Sequence, residues 1–146
     1  MCKLLHAMFF FVLTFGSFAA IAAAQEKTPD DGIPPIVVAG MDAYKSKGPE
    51  EAVKAWIKGS AIDGSKEDMS QSNNLRQIQD FYGTFQGFDL ISTRKVSARV
   101  RLVYLTLNFE KRPLFAKFAV YHAAQGWILL SFNFNTKEEL ILPANS

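Results

Sequence analysis

Cysteine is almost missing from this chain: there is one, Cys2, in 146 residues. It falls inside an N-terminal stretch that reads as removable. Histidine is nearly as scarce, with His6 in that same stretch and His122 far beyond it. What remains after removal therefore has no disulfide, no thiolate nucleophile and no Cys/His zinc cluster, so no metal site and no cofactor is expected. An excess of one charge is also lacking. The chain holds 16 Lys and Arg against 14 Asp and Glu, Lys3 leaves with the N-terminal stretch, and no basic run stands out. A nucleic-acid partner is not expected on that balance. Missing too are a Gly-x-Ser-x-Gly turn and a Gly-rich phosphate loop behind a strand, which removes the simplest nucleophilic and nucleotide chemistries.

What is present begins with an export signature. Lys3 supplies the positive start, Leu4–Ile21 is rich in Phe, Leu, Val and Ala, and Ala22-Ala23-Ala24 offers a small-residue cleavage site. Residues 1–24 thus read as a signal peptide, residues 25–33 as a flexible leader, and residues 34–146 as a single domain. The expectation is an exported protein, periplasmic or secreted, with no stable membrane anchor after cleavage.

Three helical patterns follow. Pro34 and Pro35 suit a first helical turn, Val37, Met41 and Tyr44 recur at helical spacing, and Gly48 stops the run. Pro49, Glu50 and Glu51 open a second helix, whose stripe is Ala52, Val53, Trp56 and Ile57. The polar residues 60–72 read as a loop. A third helix is expected over roughly 74–82, with Leu75, Ile78 and Tyr82 on one face, Phe81 at its edge and Gly83 as its cap.

From Gly87 onward the chain reads as four consecutive antiparallel strands. A three-residue loop, Ala124-Gln125-Gly126, pairs Ala123 with Trp127 and places Val120 and Phe118 beside Leu130 and Phe132. The turn Glu110–Pro113 pairs Phe109 with Leu114. Both turns select one apolar face that includes Phe88, Leu90, Val103, Leu105, Leu107, Phe109, Phe118, Val120, Ile128, Leu130, Phe132 and Phe134. At about 1.5–3 kcal/mol per buried large side chain, that face supplies most of the drive to fold against the helices. The opposite face mixes apolar and polar residues, the composition of a contact surface. Leu102, Tyr104, Tyr121, Trp127 and Leu129 are its expected homodimer anchors.

Arg101 and His122 fall on the apolar face as cross-strand neighbours at one end. There they suit the mouth of a pocket: Arg101 to attract an anionic group, His122 to give or take a proton near neutral pH. Tyr44 and Tyr82 could add hydroxyls to the same cavity. His122 is the one weak catalytic candidate, since the apolar face carries no carboxylate.

The run Tyr82-Gly83-Thr84-Phe85-Gln86-Gly87, the stretch Val103–Phe109 with Glu110-Lys111-Arg112-Pro113 behind it, and Gly126-Trp127-Ile128-Leu129 followed by Phe132-Asn133-Phe134 resemble small exported bacterial members of the nuclear transport factor two-like superfamily. The resemblance implies an α+β, cystatin-like cone: three N-terminal helices on a bent four-stranded antiparallel sheet, a pocket between them, and dimerisation through the outer sheet face. The reading from sequence is a non-catalytic binding module for a small anionic or amphipathic ligand. The alternatives are an isomerase- or hydrolase-like enzyme using His122, and a structural envelope protein with a filled interior.

Overall fold

Two proline–glycine pairs set the first helices. The computed structural model describes residues 32–144, so the expected signal and nearly all of the leader lie outside the described residues. Helix α1, Pro35–Lys47, has proline in its first turn, where a missing N–H breaks no bond. It ends at Gly48, whose φ of 94° is costly for any residue with a Cβ. Helix α2, Pro49–Ile57, starts at once, with Glu50 and Glu51 at the positive end of its dipole.

Helix α3, Lys66–Tyr82, is longer than the apolar pattern suggests, and residues 66–72 are helix rather than loop. The reason is local. The Ser65 hydroxyl accepts from the backbone N–H of Glu67 and Asp68 at 3.2 and 3.4 Å, capping a helix whose first turns bury little. Gly83 ends α3 as expected, its N–H donating to the Gln79 carbonyl.

The sheet is open, antiparallel and ordered β1-β2-β3-β4. Its strands are β1 (Phe85–Lys95), β2 (Val100–Phe109), β3 (Pro113–Ala123) and β4 (Gly126–Asn135). Between β2 and β3 the observed register pairs Leu107 with Leu114 and Val103 with Phe118. That is two positions from the expected pairing. Because side chains alternate with a period of two, an even offset keeps every residue on its expected face.

Between β3 and β4 the offset is odd, and its consequences are larger. Phe118 pairs with Phe132 as expected, but a bulge between Ala119 and Val120 leaves Leu130 as an extra residue on β4. Beyond it Val120 pairs with Leu129, Tyr121 with Ile128 and His122 with Trp127. The turn is a tight Ala124-Gln125 pair followed by Gly126 at φ 119°. Four of the expected assignments are thereby overturned. Leu129 is buried in the core and Trp127 packs against it, so neither is an outer-face anchor. Ile128 turns outward beside Tyr121, and Leu130 is half exposed instead of core.

The core lies between the helices and the inner sheet face. Trp56 fills its centre, with ring centroids 5.1 Å from Phe118 and 5.5 Å from Phe132. Toward the other end, Tyr44 packs on Phe85 at 4.4 Å and on Phe109 at 6.0 Å. On the outer face Tyr104 is only 4% exposed, which removes it too as a free dimer anchor. Tyr104 and the tail residue Ile141 are the two buried apolar residues that lie apart from this main core.

Candidate functional site

The four expected ligand residues occupy two ends of the sheet. Arg101 and His122 sit with Trp127 where β2 begins and β3 ends, whereas Tyr44 and Tyr82 surround Phe109, where β2 ends. Arg101 and Phe109 are about 26 Å apart at ~3.3 Å per strand residue. One cavity does not hold all four.

At the first end, the bulge brings Trp127 between the two polar residues. The Arg101 guanidinium lies 5.2 Å over the Trp127 ring, and the His122 ring meets the same indole at 4.9 Å, edge-on. Arg101 is 8% exposed, and its Nη1 donates to the Gly32 carbonyl at 3.0 Å. An arginine so enclosed satisfies its fork on protein groups, and here it ties the residue just ahead of α1 to the sheet. His122 is exposed, and its ring makes no side-chain hydrogen bond among the described residues. The pair therefore reads as a clamp with a wet histidine beside it.

At the second end, burial pushes the Tyr44 hydroxyl well above the ordinary tyrosine range. That hydroxyl has no hydrogen-bond partner among the described residues. Tyr82 is half-buried, with the Arg112 guanidinium 5.2 Å over its ring. Arg112 also donates from Nη2 to the Thr136 carbonyl at 3.4 Å, joining the end of α3 to the start of the tail.

A groove of about 330 Å³ opens beside this end, between α3 and the sheet. Ile78 and Phe81 wall it from the helix, Leu114 and Phe134 from the sheet, and the amides of Asn74, Gln77 and Asn135 with Thr136 rim it. Phe81 is 73% exposed, an unusual placement for a side chain that size. The chemistry on offer is an apolar floor with neutral donors and acceptors, and no lining group ionises near neutral pH. Sequence reasoning placed Ile78 and Phe81 on α3 and Phe134 on the inner face but did not join them. Joining them needed the packing of α3 against the sheet, which no local pattern carries.

A second cleft, about 420 Å³, separates α2 from α3 and is lined by Glu50, Lys54, Asp68, Met69, Ser72, Asn73 and Arg76. Its cations are already matched: Lys54 bridges Glu50 at 3.3 Å and Glu51 at 3.0 Å, and Arg76 bridges Glu50 at 3.2 Å. All are solvated; the Lys54 pairs lie within α2, and only Arg76–Glu50 ties α2 to α3, weakly. Among the described residues, no helix is long and apolar enough to cross a membrane.

These features define an α+β domain, three helices against one face of an open antiparallel sheet, with a neutral amphipathic groove at one end. Comparison of the chain with protein-family models, with curated proteins and with solved structures finds no match.

Proposed function

We propose that this chain is an exported, non-catalytic binding module whose ligand site is the groove between α3 and the sheet. The exposed Phe81 beside Ile78, Leu114 and Phe134 carries the reading, because these four make an apolar floor under a rim of amides. Such a site suits a small amphipathic molecule or an apolar peptide side chain, held by burial and oriented by Asn74, Gln77 and Asn135. An anionic ligand has less support, since the arginine expected to receive it is turned to Gly32. The cone shape and kinship with the nuclear transport factor two-like superfamily belong to the same proposal. They are supported by the order of three helices before four antiparallel strands.

The test is a titration of the isotopically labelled protein with N-acetyl-phenylalanine amide, followed by amide chemical shifts. The expected result is saturable shifts at Asn74, Gln77, Phe81 and Asn135 that vanish in Phe81→Ala. Shifts scattered over the surface, or none at millimolar probe, would refute the groove as the site. Export is checked by the mature N-terminus, expected at Gln25.

A homodimer through the outer face is a second reading, favoured by one observation. The bulge adds Ile128 to Tyr121 and Leu102 on that face, all half-buried; Ile128 pairs with Tyr121, and Leu102 lies diagonally across from Tyr121. Sedimentation over a wide concentration range tests it, with Tyr121→Glu expected to shift any dimer to monomer.

A further inference from the structure

The β1–β2 hairpin turns at the end of the sheet opposite the groove, and its charge is one-sided. Between Asp89 and Glu110 the sequence holds Arg94, Lys95, Arg99 and Arg101 and no carboxylate. Arg101 is enclosed at the base, but Arg94 and Arg99 are exposed on either side of the loop. Val96 opens the loop ahead of Ser97, Ala98 and Arg99 and is 54% exposed.

The loop that carries them is built. Val96 donates its N–H to the Val100 carbonyl at 2.9 Å, and the Ser97 hydroxyl accepts from the N–H of Arg99 and Val100 at 3.3 and 3.1 Å. Arg99 is steadied by a hydrogen bond from Nη1 to the Tyr121 hydroxyl at 3.4 Å. A valine is thus held at the mouth of the loop, with Arg94 before it and Arg99 after it.

We propose that this hairpin end docks on an anionic lipid surface. Arg94 and Arg99 would meet phosphate headgroups while Val96 enters the interface between headgroups and acyl chains. Three observations favour a bilayer over a macromolecule. Two exposed arginines and one valine are too small a set to bury the ~800 Å² per partner of a stable protein interface. An exposed aliphatic residue gains nothing from a phosphate backbone but gains from an apolar boundary layer. No exposed phenylalanine, tyrosine or tryptophan stands at the tip to stack on an unpaired base. The contact is weak and salt-sensitive, a tether rather than an anchor. It does not rest on the groove, which lies at the other end of the sheet.

The experiment uses the full chain with Cys2→Ser and Ala98→Cys, labelled at the new thiol with an environment-sensitive fluorophore. Residues 1–24 are common to every sample, and the label reports the hairpin alone. Vesicles containing phosphatidylglycerol should shift the emission to the blue, pure phosphatidylcholine vesicles should not, and 0.5 M salt should reverse the shift. Replacing both Arg94 and Arg99 with alanine should raise the lipid needed by about 30-fold, from the worth of two cations near such a surface. Val96→Asp should abolish the shift, with circular dichroism confirming the fold of each variant. No shift with anionic vesicles, an equal shift with neutral ones, or insensitivity to the arginine pair overturns the proposal. So does a larger shift with a single-stranded oligonucleotide at equal phosphate, which assigns the tip to nucleic acid instead.

Discussion

The Trp56 indole lies against Gly40 of α1, and its Nε1 donates to the Val37 carbonyl at 3.0 Å one turn earlier. A methyl group at position 40 would fall inside the indole ring. Glycine in a helix interior usually costs about 1 kcal/mol relative to alanine, so Gly→Ala there is normally stabilising. At Gly40 the sign should invert. Gly40→Ala is expected to destabilise by about 1–3 kcal/mol, because Trp56 must leave its place between α1 and Phe118. Urea unfolding followed by tryptophan emission measures it, and an unchanged or raised midpoint would mean that α1 and α2 do not meet in this way.

Leu129 and Leu130 distinguish the observed bulge from an unbroken ladder. Leu129→Ala should cost about 2–5 kcal/mol, the loss for a buried leucine, while Leu130→Ala should stay within about 0.5–1 kcal/mol. Strict alternation from Phe132 predicts the reverse ranking. Thermal melts of the two variants side by side decide between them.

The buried Tyr44 hydroxyl makes alkaline stability measurable residue by residue. Its folded pKa is raised by burial, so the folded state holds its proton at a pH where the unfolded chain has released it. Above about pH 10 the unfolded state binds fewer protons, and stability falls as pH rises. The contribution is fully present below the ordinary tyrosine pKa and is lost progressively above it. Tyr44→Phe should flatten this dependence, with the wild type losing about 1.4 kcal/mol more per pH unit beyond pH 10. At neutral pH the same variant should be neutral or slightly stabilising, since it removes an enclosed hydroxyl without a protein acceptor. Denaturation midpoints at pH 7 and pH 11 check both signs.

Arg101 holds Gly32, so its loss should loosen the chain just ahead of α1. Arg101→Met is expected to cost about 1.5–3 kcal/mol, the range for a hydrogen bond from a charged group. Arg101→Lys should recover only part of that, because an ammonium lacks the planar fork that spans the Gly32 carbonyl and the Trp127 face. Hydrogen exchange at Ile36 and Val37 should quicken in both.

Where the sequence carried strong local punctuation, the structure was legible. Proline at each start and Gly48 between them bound α1 and α2, and Gly83 bound the end of α3. The start of α3 was hidden because its early turns are polar all round, so no apolar stripe announces them. Ser65 with Asp68 three residues later was the signal available there. In the sheet, the two-residue offset at Leu107 was harmless by parity, whereas Leu130 could not be found by pattern. An inserted residue within an apolar run, Ile128-Leu129-Leu130, leaves the composition of both faces plausible either way. The candidate site followed the same divide. Arg101 and His122 share one end of the sheet, but the two-residue offset pairs Arg101 with Val120 instead of His122, and Trp127 joins them only through the inserted residue.

Both outermost strands of this sheet are broken in their rhythm, β1 by register shifts after Phe85 and after Leu90, and β4 by the extra Leu130. A straight row of free backbone groups is an invitation to endless stacking of chains, and a kink every few residues withdraws it. The two rims are therefore poor templates for a strand of a neighbouring copy.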